Sequence, residues 1–335
     1  MLRMFVTAAA AMLGAAAHAQ TTYDWTTLPD NSGFPAALTN DGSILCDTVS
    51  SSSTPGVVLQ RAQHVRPLSV SFPGHPELSV WGADFSQTQR LVGSGLDTDG
   101  VPKLAFLREP GGQVRTYSFA GFPRSVLSGI NTRGVAVGGA SDEFGTFSVP
   151  IVVFKQQQSI VQLPFAAGNG AFLDVNDRDE ILGYAYDASV PLFQQFILTS
   201  AGFQRIAVPA GFDELNLNRL NNDGVCAGYC VTAGDGVAHG ALRRADGSID
   251  LVDWNTDWPP TITRDFGVGQ PVTLHFDSPF STKVFDINDR GEVLAESQGN
   301  YVGILGGAPV NAVVLRYGTG TPAHRTPESA APIGR

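Results

Sequence analysis

Apolar residues in this chain come in short runs rather than helical stripes. The runs include KLAFLRE at 103–109, PIVVFKQ at 150–156, QQFILTS at 194–200, HGALRRA at 239–245 and NAVVLRY at 311–317, with GVVLQRA at 56–62 as an early counterpart. Most are β-branched or aromatic and end in polar residues, which is the pattern of a buried strand. About 20 residues before each lies a second pattern: apolar, Asn, two polar residues, Gly, any residue, apolar, any residue, Gly or another small residue. It reads GINTRGVAVGGA at 129–140, DVNDRDEILGYA at 174–185, RLNNDGVCAGYC at 219–230 and DINDRGEVLAES at 286–297, with weaker copies DFSQTQRLVGSG at 84–95 and ALTNDGSILCDT at 37–48. The column headed by Asn is Thr39, Ser86, Asn131, Asn176, Asn221, Asn288, spaced by 47, 45, 45, 45 and 67 residues. A third pattern, such as VRTYSFAGFP or FQRIAVPAG, closes each unit in Pro or a turn.

The polar tetrad, Asn288-Asp289-Arg290-Gly291 in the last copy, is either a repeated site or a repeated turn. Asn or Asp opens turns by bonding its own backbone, and Gly takes positive φ. The test is what replaces Gly. Asp179 tolerates the left-handed region, whereas Gln89 is a poor substitute. The residue after the Asn column is Asn40, Gln87, Thr132, Asp177, Asn222 or Asp289, so no repeated metal ligand stands there. The tetrad is therefore predicted to be a turn between two strands.

A period of about 45 residues holding four strands is the size of a propeller blade. The predicted fold is all-β, a six-bladed β-propeller over 20–317, with a β-sandwich or open β-solenoid as alternatives. Blade sheets are covered on both faces, which accounts for runs such as Ile151–Phe154. The last interval carries an insertion at about 251–283, and the Pro/Ala/Ser-rich segment 318–335 is expected to be disordered.

Composition agrees: 38 Gly, 21 Pro and only 16% charged residues favour turns and strands over helices. The first 19 residues have the form of a signal peptide, with Arg3, an apolar stretch Phe5–Ala17 and the cleavage pattern Ala17-His18-Ala19. The mature chain, from Gln20, is expected to be secreted or periplasmic without stable membrane insertion. Losing Arg3 and no acid moves the net charge from −10 to −11, which disfavours nucleic acid as a partner. Cys46, Cys226 and Cys230 are read as small apolar fillers. The last two lie on one predicted strand with Cα atoms roughly 13 Å apart, beyond disulfide reach.

The motif Ile130-Asn131-x-Arg133-Gly134-x-x-x-Gly138, repeated around Asn176, Asn221 and Asn288, resembles the bacterial extracellular repeat family named for a His-Ala-Phe tripeptide. The tripeptide is degenerate here: Leu104-Ala105-Phe106, His239-Gly240-Ala241 and Asn311-Ala312-Val313. The resemblance implies an exported repeat protein and no particular chemistry.

No sialidase box, phosphate loop, dinucleotide fingerprint or nucleophile elbow is found, and the histidines are scattered. "GLDTDGVP" at 95–102 is read as a turn rather than a calcium loop. Neither a metal nor a cofactor is expected. The insertion is the main candidate for binding. It brings Trp254, Trp258 and His275 near Asp253 and Asp257, and aromatic faces with carboxylates suit a sugar. The alternative is that these aromatics pack over a blade end. The expected function is a non-catalytic module for a glycan or a surface protein. The competing expectation is a propeller hydrolase or lyase, which requires acids from several blades to converge at the channel.

Overall fold

The computed structural model describes residues 24–27, 34–48, 56–61, 64–164, 169–186, 193–232, 236–252, 261–264, 272–302 and 309–319. They form six antiparallel sheets arranged as a β-propeller; five have four strands and the sixth has five. The inner strands are Phe34–Leu38, Ser79–Phe85, Arg124–Ile130, Gly170–Val175, Phe212–Leu220 and Val272–Ile287, for blades 1 to 6 in chain order. Each leads through one tetrad into the second strand of its blade.

Closure joins the two ends of the chain. Asp24–Thr27 pairs with the strand Pro309–Thr319 as the outermost strand of blade 6. A blade shared between the termini makes the ring cooperative, because its edge is protected only when the chain has come round. The fifth strand of that sheet, Thr261–Arg264, pairs with Val272–His275, at the start of the long inner strand. The insertion therefore joins blade 6 at the end away from its tetrad. Its expected onset is also refined: Leu251 and Val252 belong to the outer strand of blade 5.

Apolar residues gather in six clusters, one at each blade interface. Val92 and Leu107 meet Leu127 and Ile151 between blades 2 and 3. Leu45 and Val57 meet Leu91 and Phe106 between blades 1 and 2. Leu38, Ile44 and Cys46 meet Leu294, closing blade 6 on blade 1. Each sheet is thus covered on both faces, which is why its strands are apolar without strict alternation. The glycine ending the repeat motif has a steric cause. A Cβ on Gly138 or Gly228 would lie 2.0 or 1.9 Å from the carbonyl oxygen of Val126 or Asn216 on the inner strand. All three cysteines are buried, and none is in a disulfide.

The tetrads are turns in all six blades. The fourth position is left-handed at Gly42, Gln89, Gly134, Asp179, Gly224 and Gly291, with φ of 80, 61, 82, 60, 79 and 75°. In each, its N–H donates to the carbonyl of the Asn-column residue, as from Gly134 to Asn131 at 3.0 Å. The segment 95–102 is likewise a hairpin turn, with Asp97 Oδ1 accepting from the N–H groups of Asp99 and Val101.

Candidate functional site

The residues that converge on the propeller axis come from the columns beside the Asn. Each inner strand carries a β-bulge at one equivalent place, at Ala36, Ala83, Ser128, Leu173, Asn218 and Phe285. A bulge breaks the ladder and re-aims backbone groups. Two residues further on, the N–H of each inner strand points off this edge and is bonded by a side chain rather than by the sheet.

Three carboxylates supply these bonds. Asp84 Oδ1 accepts from Phe85 N and its Oδ2 from Ile130 N of blade 3, at 2.7 and 2.8 Å. Asp174 does the same with Val175 N and with Leu220 N of blade 5, at 2.8 and 2.7 Å. Asp286 takes Ile287 N and Leu38 N of blade 1, at 2.7 and 2.5 Å. Three carboxylates, one in every second blade, thus serve six N–H groups and tie the blades in pairs. The intervening blades carry Ala37, Gly129 and Arg219 in this column. Gly129 is forced, because a Cβ there would lie 2.5 Å from Asp174 Oδ1.

Arg219 crosses the axis from blade 5. Its guanidinium donates to the carbonyls of Ser128, Ala36 and Ala83 at 3.3, 3.0 and 2.7 Å, the bulge residues of blades 3, 1 and 2. Its Nε faces Asp286 Oδ1 at 3.6 Å, in side chains only 13% and 7% exposed. The planar five-donor fork is what allows one side chain to serve three carbonyls.

One cation among three acids leaves the plug short of positive charge. Burial, reinforced by the neighbouring acids, pushes Asp286 up to about 8, Arg219 and the Leu38 N–H pulling the other way. Burial with the Asp84 charge pushes Asp174 up to about 7. Burial also raises Asp84. Burial works against the Arg219 charge, but Asp286, Asp174 and Asp84 outweigh it and raise its pKa.

Above the plug, two further rings line the mouth. Asn131, Asn176, Asn221 and Asn288 use Oδ1 inside the turn and donate Nδ2 to the column residue of the next blade. These bonds run to the carbonyls of Asn176, Asn221, Asn288 and Thr39 at 3.0, 3.1, 3.2 and 3.0 Å. Thr39 and Ser86 have no amide to continue the series. In the outer ring the N–H groups of Thr132, Asp177, Asn222 and Asp289 donate to the side chains of Asp177, Asn222, Asp289 and Asn40, at 2.7 to 2.8 Å. Gln87 Nε2 reaches over to Asp289 Oδ2 at 2.9 Å. The mouth holds about 90 Å³ of space, room for a few waters but small for a sugar ring.

Of the five residues expected to bind ligand, four lie outside the described part and the fifth is placed by its backbone alone. Asp253, Trp254, Asp257 and Trp258 lie outside the described residues. The backbone of His275 pairs with Thr261 and Val302 on blade 6, at the end opposite the tetrads, and its side chain lies outside the described part. Sequence reasoning missed the plug. Asp84, Asp174 and Asp286 head three of the six aligned repeats, but the rule they obey is an alternation between blades. The variable column after Asn, which argued against a metal, lines the mouth. Among the described residues, no group of three or more His, Cys, Asp or Glu is placed to hold a metal ion. No protein-family model matches the chain.

Proposed function

We propose that this protein is an exported, non-catalytic binding module for a glycan of the cell envelope or surroundings, or for a surface protein. The observation that supports this reading is the occupancy of the channel acids. Each of Asp84, Asp174 and Asp286 has both oxygens engaged by backbone N–H groups, and Arg219 closes the axis. A general acid must reach the proton acceptor of its substrate, and these groups face the ring itself. Export rests on the leader-like first 19 residues and on the resemblance to exported repeat proteins.

A second reading, a propeller hydrolase or lyase, draws on the convergence of acids from three blades and on raised carboxyls near 7 and 8, values a general acid needs at neutral pH. One experiment separates the two. The chain from Gln20 is melted against a panel of polysaccharides, and each mixture is then assayed for shortened products. Binding to the folded state raises the melting temperature. A shift without product supports the binding module, and product formation lost in Asp174→Asn would replace it with the enzyme. A shift lost when Trp254 and Trp258 become Ala would place the ligand on the insertion.

A further inference from the structure

A cleft opens on the tetrad face where the Asn series stops, between blades 1 and 2. It holds about 520 Å³, within the range of small-ligand sites. Its walls include His64 and Arg66 from the outer strand of blade 1, with Asn40, Gln87 and Gln89 from the two tetrads. Leu59 and Phe85, 7% and 8% exposed, form an apolar floor.

Three observations set this cleft apart. First, its basic groups Arg66 and His64 make no ion pair among the described residues; Asp41, which also lines the cleft, has its Oδ1 engaged by Thr39 Oγ1 and Ser43 N. Arg66 neighbours Arg108 of blade 2, whose pKa is lowered first by burial and then by Arg66. Arg108 donates to the carbonyls of Ser69 and Glu109 and to no carboxylate. The basic groups that line the cleft are therefore Arg66 and His64, and in a protein of net charge −10 such a pair favours an anion. Second, Gln89 keeps a side chain at φ 61°, where four of the equivalent tetrads have Gly at 75 to 82° and the fifth has Asp179 at 60°. A left-handed non-glycine residue costs about 1–2 kcal/mol, and strain of this kind collects at functional sites. Among the described residues, the side chains of Gln89, Arg66 and His64 make no hydrogen bond. Third, a groove of equal volume between blades 5 and 6 lacks this character. There Arg244 pairs with Asp250 and Arg290 with Glu292.

We propose that the cleft between blades 1 and 2 binds an acidic saccharide, its carboxylate on Arg66 and His64. Its hydroxyls meet Gln87 and Gln89, and the apolar face of a sugar ring lies over Leu59 and Phe85. This rests on the binding-module reading but names a site separate from the insertion, so the two can fail separately.

The test is calorimetric titration of the chain from Gln20 with oligogalacturonate, oligoalginate and oligohyaluronate. Each is paired with its carboxyl-esterified form, and inorganic phosphate serves as the anion control. The expected result is binding of at least one acidic form, with its ester weaker by about tenfold or more, the loss of one charge-assisted contact. Arg66→Ala should cause a loss of similar size. Gln89→Gly should weaken binding while leaving the melting temperature unchanged or raised, which excludes misfolding as the cause. Phosphate bound as tightly as the saccharide would overturn the saccharide assignment. Equal binding of ester and acid, or no effect of Arg66→Ala, would overturn the site while leaving the binding module standing. No binding of any acidic form would overturn the site as well. If neutral polysaccharides and surface proteins also failed, the module reading would go with it.

Discussion

Two arcs of the same ring obey different rules. From blade 3 to blade 6, Asn131, Asn176, Asn221 and Asn288 each stabilise their own turn and reach the next blade. In blades 1 and 2, Thr39 and Ser86 hold the turn through a hydroxyl, bonded to Ser43 N at 2.9 Å and Arg90 N at 3.2 Å, and reach no further. The turn survives either way, because its requirement is a local acceptor. Only the bracket between blades is lost. The difference teaches that regularity here serves closure of the ring. The irregular arc is where the sequence is released from that duty, and the cleft lined by His64, Arg66 and Gln89 stands there.

The plug is common to both arcs, and removing it tests whether the ring is one unit. Arg219→Met leaves three buried carboxylates without their cation and three carbonyls without a donor. The expected loss in urea unfolding is about 3–5 kcal/mol, and a loss under about 1 kcal/mol would remove the plug from the argument. Arg219→Lys should recover little, since an ammonium lacks the fork.

The plug also sets a pH dependence. Asp174 and Asp286 have native pKa values raised from 3.8 to about 7 and about 8. Between those limits the native state holds protons more tightly than the unfolded chain. Their contribution is complete below the unfolded value and is lost as pH rises through the native ones. The melting temperature is therefore expected to fall between about pH 5 and about pH 8.5. The turn carboxylates Asp97 and Asp142 are lowered by their hydrogen bonds, to Val101 N and Thr146 foremost. Their stabilisation goes at more acidic pH and bounds the window below. A flat profile across the neutral range would contradict the charge balance drawn for the plug.

The two arcs can be compared directly. Asn176→Ala removes two acceptor bonds in the turn and the bracket to Asn221, for an expected loss of about 2–3 kcal/mol. Ser86→Ala removes the longer bond from Arg90 N and a partly exposed one with Thr88 Oγ1, with no bracket between blades, and should cost about 1 kcal/mol or less. Equal losses would mean that the bracket contributes nothing. The smallest effect is expected at the left-handed position. Gln89→Gly should gain about 1 kcal/mol and Gly134→Ala should lose a similar amount, both read from denaturant midpoints at unchanged slope.

Much of the fold was legible because its causes are local. The turn needs Asn and a left-handed residue, and both recur at a 45-residue spacing. Gln89 and Asp179 were exceptions by residue type, yet both hold the left-handed backbone of the other four. The plug was less legible. Nothing local separates Asp174, which clamps two blades, from a surface acid. One signal could have pointed to the inter-blade brackets: four of the six turns use Asn where Asp would serve equally as a local acceptor, and only Asn carries a donor to spend elsewhere.

By itself, then, the sequence determined the strands, the turns, the count of repeats and the all-β class, because each depends on residues close together along the chain. The tertiary structure alone decided that Asp24–Thr27 completes the last blade, that alternate blades lend their acids to their neighbours, and that Arg219 closes the axis. It also set Arg66 and Gln89 on one cleft at the break in the ring. The reason is physical. These contacts join residues far apart along the chain, 248 positions in the case of Leu38 and Asp286, and only closure of the ring sets them face to face.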